Sequence, residues 1–238
     1  PDSAWSLRLE DMISEMKRLA REFPELEDPC LFDGYIVYLL ACGLRMLKPG
    51  TMTLNFDYAA FREPLLRLKK MVDQKLIPLF SDAFYNEYGR KLFLNGKIAM
   101  GHFWMPALER YPLIPCRYMP MPIADNAEAY AWTECFSICM HSMNYNQAWE
   151  FIQYVLTPEI QRKIASGTDF LPVRRGVVPS KMTEKQFEPF RRYLDRAVEF
   201  PEDYIFTGRL RMMMEAGLDR WIKFGGDLKE ALDNMEKS

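Results

Sequence analysis

Apolar residues recur at three- and four-residue intervals along most of this chain, and that spacing predicts helices. From Trp5 to Phe23, the residues Leu9, Met12, Ile13, Met16, Leu19 and Ala20 fall on one face. Ser6 stands where an N-cap belongs, and Pro24 ends the run. Gly34 to Met46 is apolar almost throughout and reads as a mostly buried helix, closed by Lys48-Pro49-Gly50. A helix starting at Asp57 carries Phe61, Leu65, Leu68 and Val72 on one face, with Pro64 in its early turns. Further helices are expected over Phe84–Leu94, Asn146–Leu156, Glu184–Glu199, Leu210–Phe224 and Asp227–Met235, and a brief one opens at Pro106. Thr157-Pro158-Glu159 begins another, with Thr157 as N-cap and Pro158 at the first helical position, and it stops by Gly167.

Short apolar runs lie between these helices. Ile98 to Trp104 suits a buried strand, and Phe136 to Met140 suits a second. Cys116 to Pro122 reads as a strand fading into a Pro-rich linker, and Asp125 to Tyr130 as a loop. Many helices with short apolar strands among them indicate an α/β chain.

Composition narrows the function. The 238 residues are 49% hydrophobic, enough to bury a core in one large domain or two modest ones. A net charge of -2 lacks the electrostatic footprint of a nucleic-acid binder, so contact with DNA or RNA is not expected. The longest apolar run, Tyr35 to Cys42, is far too short to span a membrane. Pro1 to Trp5 lacks the basic start and apolar stretch of a signal peptide, and the chain begins without Met, so processing or truncation is expected. The five cysteines include no C-x-x-C pair, and with only two histidines no metal site and no cofactor are expected. On a strand, Cys135 and Cys139 would stand about 13 Å apart, too far for a disulfide. All five read as small buried hydrophobes, and free thiols fit a reducing compartment. The chain has no G-x-S-x-G, H-E-x-x-H, Walker A or G-x-G-x-x-G motif, so no catalytic residue is singled out.

Several short stretches, in order, resemble the extracellular solute-binding proteins that include maltose-binding protein. Leu92-Phe93-Leu94-Asn95-Gly96-Lys97-Ile98-Ala99-Met100 resembles the family's F-x-x-G-K-x-A-M, and Trp104 follows where the family has G-x-W. Met119-Pro120-Met121-Pro122 resembles the linker between lobes. Ala148-Trp149-Glu150-Phe151-Ile152 resembles A-W-E-F-I, and Thr157-Pro158-Glu159-Ile160-Gln161 resembles T-x-E-x-Q. Phe170-Leu171-Pro172-Val173-Arg174 resembles G-x-L-P-V-R, and Asp227 to Leu232 resembles the terminal helix. Each motif is weak alone; their order and spacing carry the likeness. Two departures stand out. The family's first run of strands and helices has no counterpart, and Trp132-Thr133-Glu134 stands where the family often has a Gly-Gly pair.

The resemblance implies a helix-rich type II periplasmic-binding-protein fold, mainly the C-terminal lobe plus a crossover segment. Residues 1–125 and 180–238 would form the C-terminal lobe, and 126–179 the crossover belonging to the N-terminal lobe. It implies non-catalytic binding of a small solute, a sugar or oligosaccharide, for delivery to the permease of an ABC importer outside the cytoplasm. The alternative is the ligand-sensing domain of a cytoplasmic transcriptional regulator, which the cysteines favour. Aromatic rings would stack on sugar faces while acids and arginines bond the hydroxyls. The resemblance places Trp104 against the ligand, with a core tryptophan as the alternative; strand alternation lets only one of Phe103 and His102 line the cleft. Trp132 and Glu134 share one face of an extended segment at the crossover. Asp33 and Tyr35 stand in the loop before the buried helix; for Asp33 the alternative is a turn built on Asp33-Gly34. Arg209 and Arg211 lie near the start of a late helix, where a solvated helix end is the alternative. The run Met212-Met213-Met214 is expected in the core.

Overall fold

The computed structural model describes residues 8–48, 51, 53–81, 88–102, 119–125, 127–131, 135–168, 170–179, 182–199 and 209–237. Contacts along the chain divide it into two compact units. One comprises Pro1–Ser6, Trp104–Pro120 and Tyr130–Glu199; the other comprises Leu7–Phe103, Met121–Ala129 and Phe200–Ser238.

The second, larger unit holds the helix α1 (Leu9–Glu22), the strand β1 (Cys30–Leu31) and the helices α2 (Tyr35–Ala41), α3 (Tyr58–Asp73) and α4 (Tyr88–Leu94). The strand β2 (Met100–Gly101) follows. β1 and β2 run parallel, with Cys30 opposite Met100 and Leu31 opposite Gly101. Leu31, Leu92 and Ile98 are buried together beneath this pair, with Phe93 packed against them. The expected face of α1 is realised, since Leu9, Met12, Ile13 and Met16 are all buried. Its N-cap is Arg8, whose side chain engages Asp11, and Ser6 lies outside the described residues. Asp57 caps α3 by accepting from the Ala59 amide at 3.0 Å, and Pro64 is carried inside that helix.

The helix expected from Gly34 to Met46 ends early, at Ala41. Gly43 has a φ of +80°, a left-handed conformation that stops a helix and that side chains resist. A Cβ there would also press on Ala127 at 3.4 Å. The chain then turns out to a short antiparallel bridge between Leu47 and Leu54. The strand expected over Ile98–Trp104 is limited to Met100–Gly101 among the described residues, and 103–104 lie outside them.

The strand β3 (Ala129–Ala131) begins with the last residue of the larger unit's Met121–Ala129 segment; after it the other unit holds the helices α5 (Tyr145–Val155), α6 (Pro158–Gly167) and α7 (Glu184–Asp195), and the strand β4 (Ala197–Glu199) follows them. β3, expected as the end of a loop, pairs with β4, which occupies the last residues of the expected 184–199 helix. Pro158 takes the first turn of α6 as expected, but Thr157 makes no cap bond. Its hydroxyl donates to the Tyr154 carbonyl at 2.8 Å instead. Phe136 to Met140 forms no strand, and Phe136 is exposed, as is Met140 at 85%. The cysteines diverge accordingly. Cys30 is buried, and burial pushes its thiol up to about 12, whereas Cys135 and Cys139 are exposed free thiols and Cys116 lies outside the described residues. The tendency of free cysteines to be buried predicts all five inside, and Cys135 and Cys139 depart from it because no strand or helix among the described residues packs over them. α5 buries only Val155, while Tyr145, Trp149, Phe151 and Tyr154 stand exposed.

The chain closes in the larger unit with α8 (Arg209–Phe224) and α9 (Leu228–Lys237). Asp227 caps α9 by accepting from the Glu230 amide at 2.8 Å. Gly217 lets the two helices approach, because a Cβ there would lie 2.5 Å from the Met235 sulfur. Of the methionine run expected in the core, Met214 is fully buried, whereas Met212 and Met213 are half-buried. No helix among the described residues is long and apolar enough to cross a membrane.

Candidate functional site

The parallel pairing of β1 and β2 brings two chain exits to one edge. In open α/β arrangements, ligands bind outside the carboxyl ends of the strands. There β1 delivers Phe32 and Asp33, and β2 delivers His102, whose amide donates to the Leu31 carbonyl at 2.7 Å. The first turn of α8 brings Arg211 to the same place. Its Nη2 donates to the Asp33 carbonyl at 2.6 Å and to Asp33 Oδ1 at 3.3 Å. The Asp33 side chain is 39% exposed and that of Arg211 19%, so the pair reaches solvent from a largely buried base. His102 is half-buried, and its Nδ1 is buried with no hydrogen-bond partner among the described residues. Burial lowers the His102 pKa, Asp33 opposes that shift and the Arg211 charge adds to it, so the balance favours the neutral ring.

Beneath this edge lies a pair of carboxylates that the sequence did not single out. Glu215 is fully buried and accepts from two successive amides at the start of α2, Tyr35 at 2.9 Å and Ile36 at 3.3 Å. Asp219, one turn on, accepts from the Phe80 amide at 3.1 Å, the Ser81 amide at 2.8 Å and the Tyr35 hydroxyl. Burial raises Glu215 to about 7 against the pull of the two amides and the Arg211 charge, and Asp219 adds to the rise. The available signal was two acids four residues apart, among the apolar positions Met214, Leu218 and Ile222 of a helix. Acids on a core face need partners, and here those partners are backbone amides 179 and 180 positions away for Glu215, and amides 138 and 139 positions away with the Tyr35 hydroxyl for Asp219, which no local pattern reveals.

The expected site residues separate accordingly. Asp33 and Arg211 meet at the strand ends. Tyr35 is 2% exposed, its hydroxyl donating to Asp219 and accepting from the Phe80 amide at 2.9 Å. In this structure its ring belongs to the core and its hydroxyl to the frame under the site. Phe103, Trp104, Trp132 and Glu134 lie outside the described residues, as does the side chain of Arg209. The arrangement offers an exposed carboxylate acceptor, a guanidinium donor and a neutral imidazole, a set suited to hydroxyl groups.

No family model matches this sequence, and no curated protein matches it. Solved structures do share its fold. The sugar-binding protein MalE from Xanthomonas citri matches with a TM-score of 0.76 at 19% identity, over 99% of this chain and 63% of its own. An extracellular solute-binding protein from Staphylococcus aureus, solved in complex with maltose, matches with a TM-score of 0.68 at 16% identity, over 97% of this chain and 63% of its own. The GacH receptor of Streptomyces glaucescens, solved unliganded and with acarbose, matches with a TM-score of 0.66 at 20% identity, over 94% of this chain and 62% of its own. The fold is therefore the type II periplasmic-binding-protein fold. The chain spans less than two thirds of the length of each of these structures.

Proposed function

We propose that this chain binds a neutral sugar or oligosaccharide without chemical change, as part of a solute receptor that supplies the permease of an ABC importer. One observation carries the reading: Asp33, His102 and Arg211 converge at the carboxyl ends of parallel strands, in the fold of the proteins solved with maltose and acarbose. In this reading Asp33 accepts from sugar hydroxyls while Arg211 holds it in place. Phe103 and Trp104, which follow directly from β2, supply the stacking surface. Trp132, Glu134 and Arg209 complete the contacts, and residues 126–179 act as the crossover segment. The receptor works outside the cytoplasm.

The test is a thermal-shift screen with maltose, stachyose and acarbose, since a ligand that binds only the folded state raises the melting temperature. At a free sugar concentration about 100 times Kd the stabilisation is about 2.7 kcal/mol. Trp104→Ala abolishes the shift in this reading. An unchanged shift removes Trp104 from the site, and no shift with any sugar, in a protein carrying both lobes, refutes sugar binding.

A second reading, the sensing domain of a cytoplasmic regulator, is favoured by the exposed free thiols of Cys135 and Cys139, which suit a reducing compartment. The coding sequence upstream of Pro1 separates the two. A secretion signal supports the importer, and a helix-turn-helix segment supports the regulator.

A further inference from the structure

We propose that Glu215 is the positioning residue of this site: its carboxylate ties the turn at Gly34–Ile36 to α8 and so sets where Asp33 and Arg211 stand. The proposal takes from the binding reading only what the site is for. The tie itself is a matter of geometry.

A helix start is usually capped by a side chain from its own N-cap, most often Ser, Thr, Asp or Asn. α2 has Gly34 there and no side-chain cap of its own. Its first two amides are taken instead by an acid from a helix remote in sequence. Such a cap joins two elements, whereas a local one would serve only α2. Gly34 adopts φ +91° and ψ 156°, a conformation essentially reserved for glycine. A Cβ at that position would overlap Glu215 Oε1 and lie 2.9 Å from Arg211 Nη2. The backbone at 34 is thus shaped to let the carboxylate and the guanidinium approach. Arg211 sits one helical turn before Glu215, with its Nε 4.0 Å from Glu215 Oε1, so one helix face presents both the tie and the residue that clamps Asp33. Asp219 extends the same face by a further turn and fixes Tyr35 from below.

The ionisable groups around Glu215 are Arg211 and Asp219 on α8, the Tyr35 hydroxyl on α2, and Asp33 and His102 at the strand ends. Glu215 holds its proton more tightly in the tied state than in water, so raising the pH from 5 toward 7.5 favours opening of the turn. The tie therefore loosens with rising pH, and a neutral isostere does not respond.

The test measures hydrogen exchange at the Tyr35 and Ile36 amides, corrected for intrinsic rates, in wild type, Glu215→Ala and Glu215→Gln between pH 5 and 8. Wild-type protection is expected to fall by more than about tenfold across that range. Glu215→Ala loses at least about tenfold at these two amides at pH 6, with α1 and α9 unchanged. Glu215→Gln restores part of that protection and loses the wild-type fall with pH. Should Glu215→Ala not fold, the comparison of wild type with Glu215→Gln decides: equal pH slopes overturn the proposal. So does protection within twofold of wild type in Glu215→Ala, or a loss spread evenly over the whole unit. A second arm measures the affinity of maltose and stachyose, where a binding sugar is expected to weaken at least tenfold in Glu215→Ala and recover in part in Glu215→Gln. If neither sugar binds wild type, the binding reading fails while the amide measurement still decides the tie.

Discussion

Replacing Gly34 with alanine tests the frame of the site most directly. The residue has φ +91° and ψ 156°, and placing a side-chain-bearing residue in that region costs about 1–3 kcal/mol. The added methyl also overlaps Glu215 Oε1, so the carboxylate must leave the Tyr35 or the Ile36 amide. At pH 8, where Glu215 is ionised, each such charge-assisted bond contributes about 1.5–3 kcal/mol. With one bond lost, the expected destabilisation at that pH is about 2.5–6 kcal/mol, a large fraction of the roughly 5–15 kcal/mol that holds a typical domain together. Urea unfolding gives the loss, and hydrogen exchange over Arg209–Phe224 shows that it falls on the larger unit. Gly34→Ala should move the midpoint without changing the slope. A loss below about 1 kcal/mol would mean that the turn relaxes freely and that the carboxylate does not hold it.

The stability that Glu215 contributes should be lost as pH rises from about 4.5 to about 7, because the folded state keeps a proton there that the unfolded chain has lost, while His102, whose pKa burial lowers, acts in the opposite sense. That gap corresponds to about 3 kcal/mol, and Glu215→Gln should remove it from the pH profile of urea unfolding; a variant with the wild-type slope contradicts the assignment. In the smaller unit, Thr183 and Gln186 form a capping box at the start of α7, with the Thr183 amide donating to Gln186 Oε1 at 2.8 Å. Thr183→Ala should cost about 1 kcal/mol and raise exchange along α7 alone, and unchanged exchange there would show that the cap is idle.

Periodicity located α1, α3, α6 and α9 because each carries an apolar stripe and a local start signal, such as Asp57 or Asp227, that acts within a few residues. It overran α2 and α7, where the chain leaves the helix at Ala41 and Asp195 to meet partners elsewhere. Phe136 to Met140 misled for the converse reason. An apolar run becomes a strand only when a neighbouring strand bonds its backbone, and periodicity carries no news of that neighbour.

The same division holds at the site. Asp33 and Arg211 could be named from the chain because their chemistry suits hydroxyl recognition and they stand before the buried helix and near the start of a late one. That they bond to each other across 178 positions follows only from the parallel pairing of β1 and β2 and the docking of α8. Tyr35 looked like a ligand contact until packing consumed its hydroxyl, and Glu215, which the sequence did not single out, is buried with two amides as partners. Sequence by itself determined the helices, their faces and the residue types available for binding, since these depend on neighbours a few positions away. Tertiary structure decided which polar groups are spent inside and which are left to reach solvent, because that depends on groups brought together only when the chain has folded.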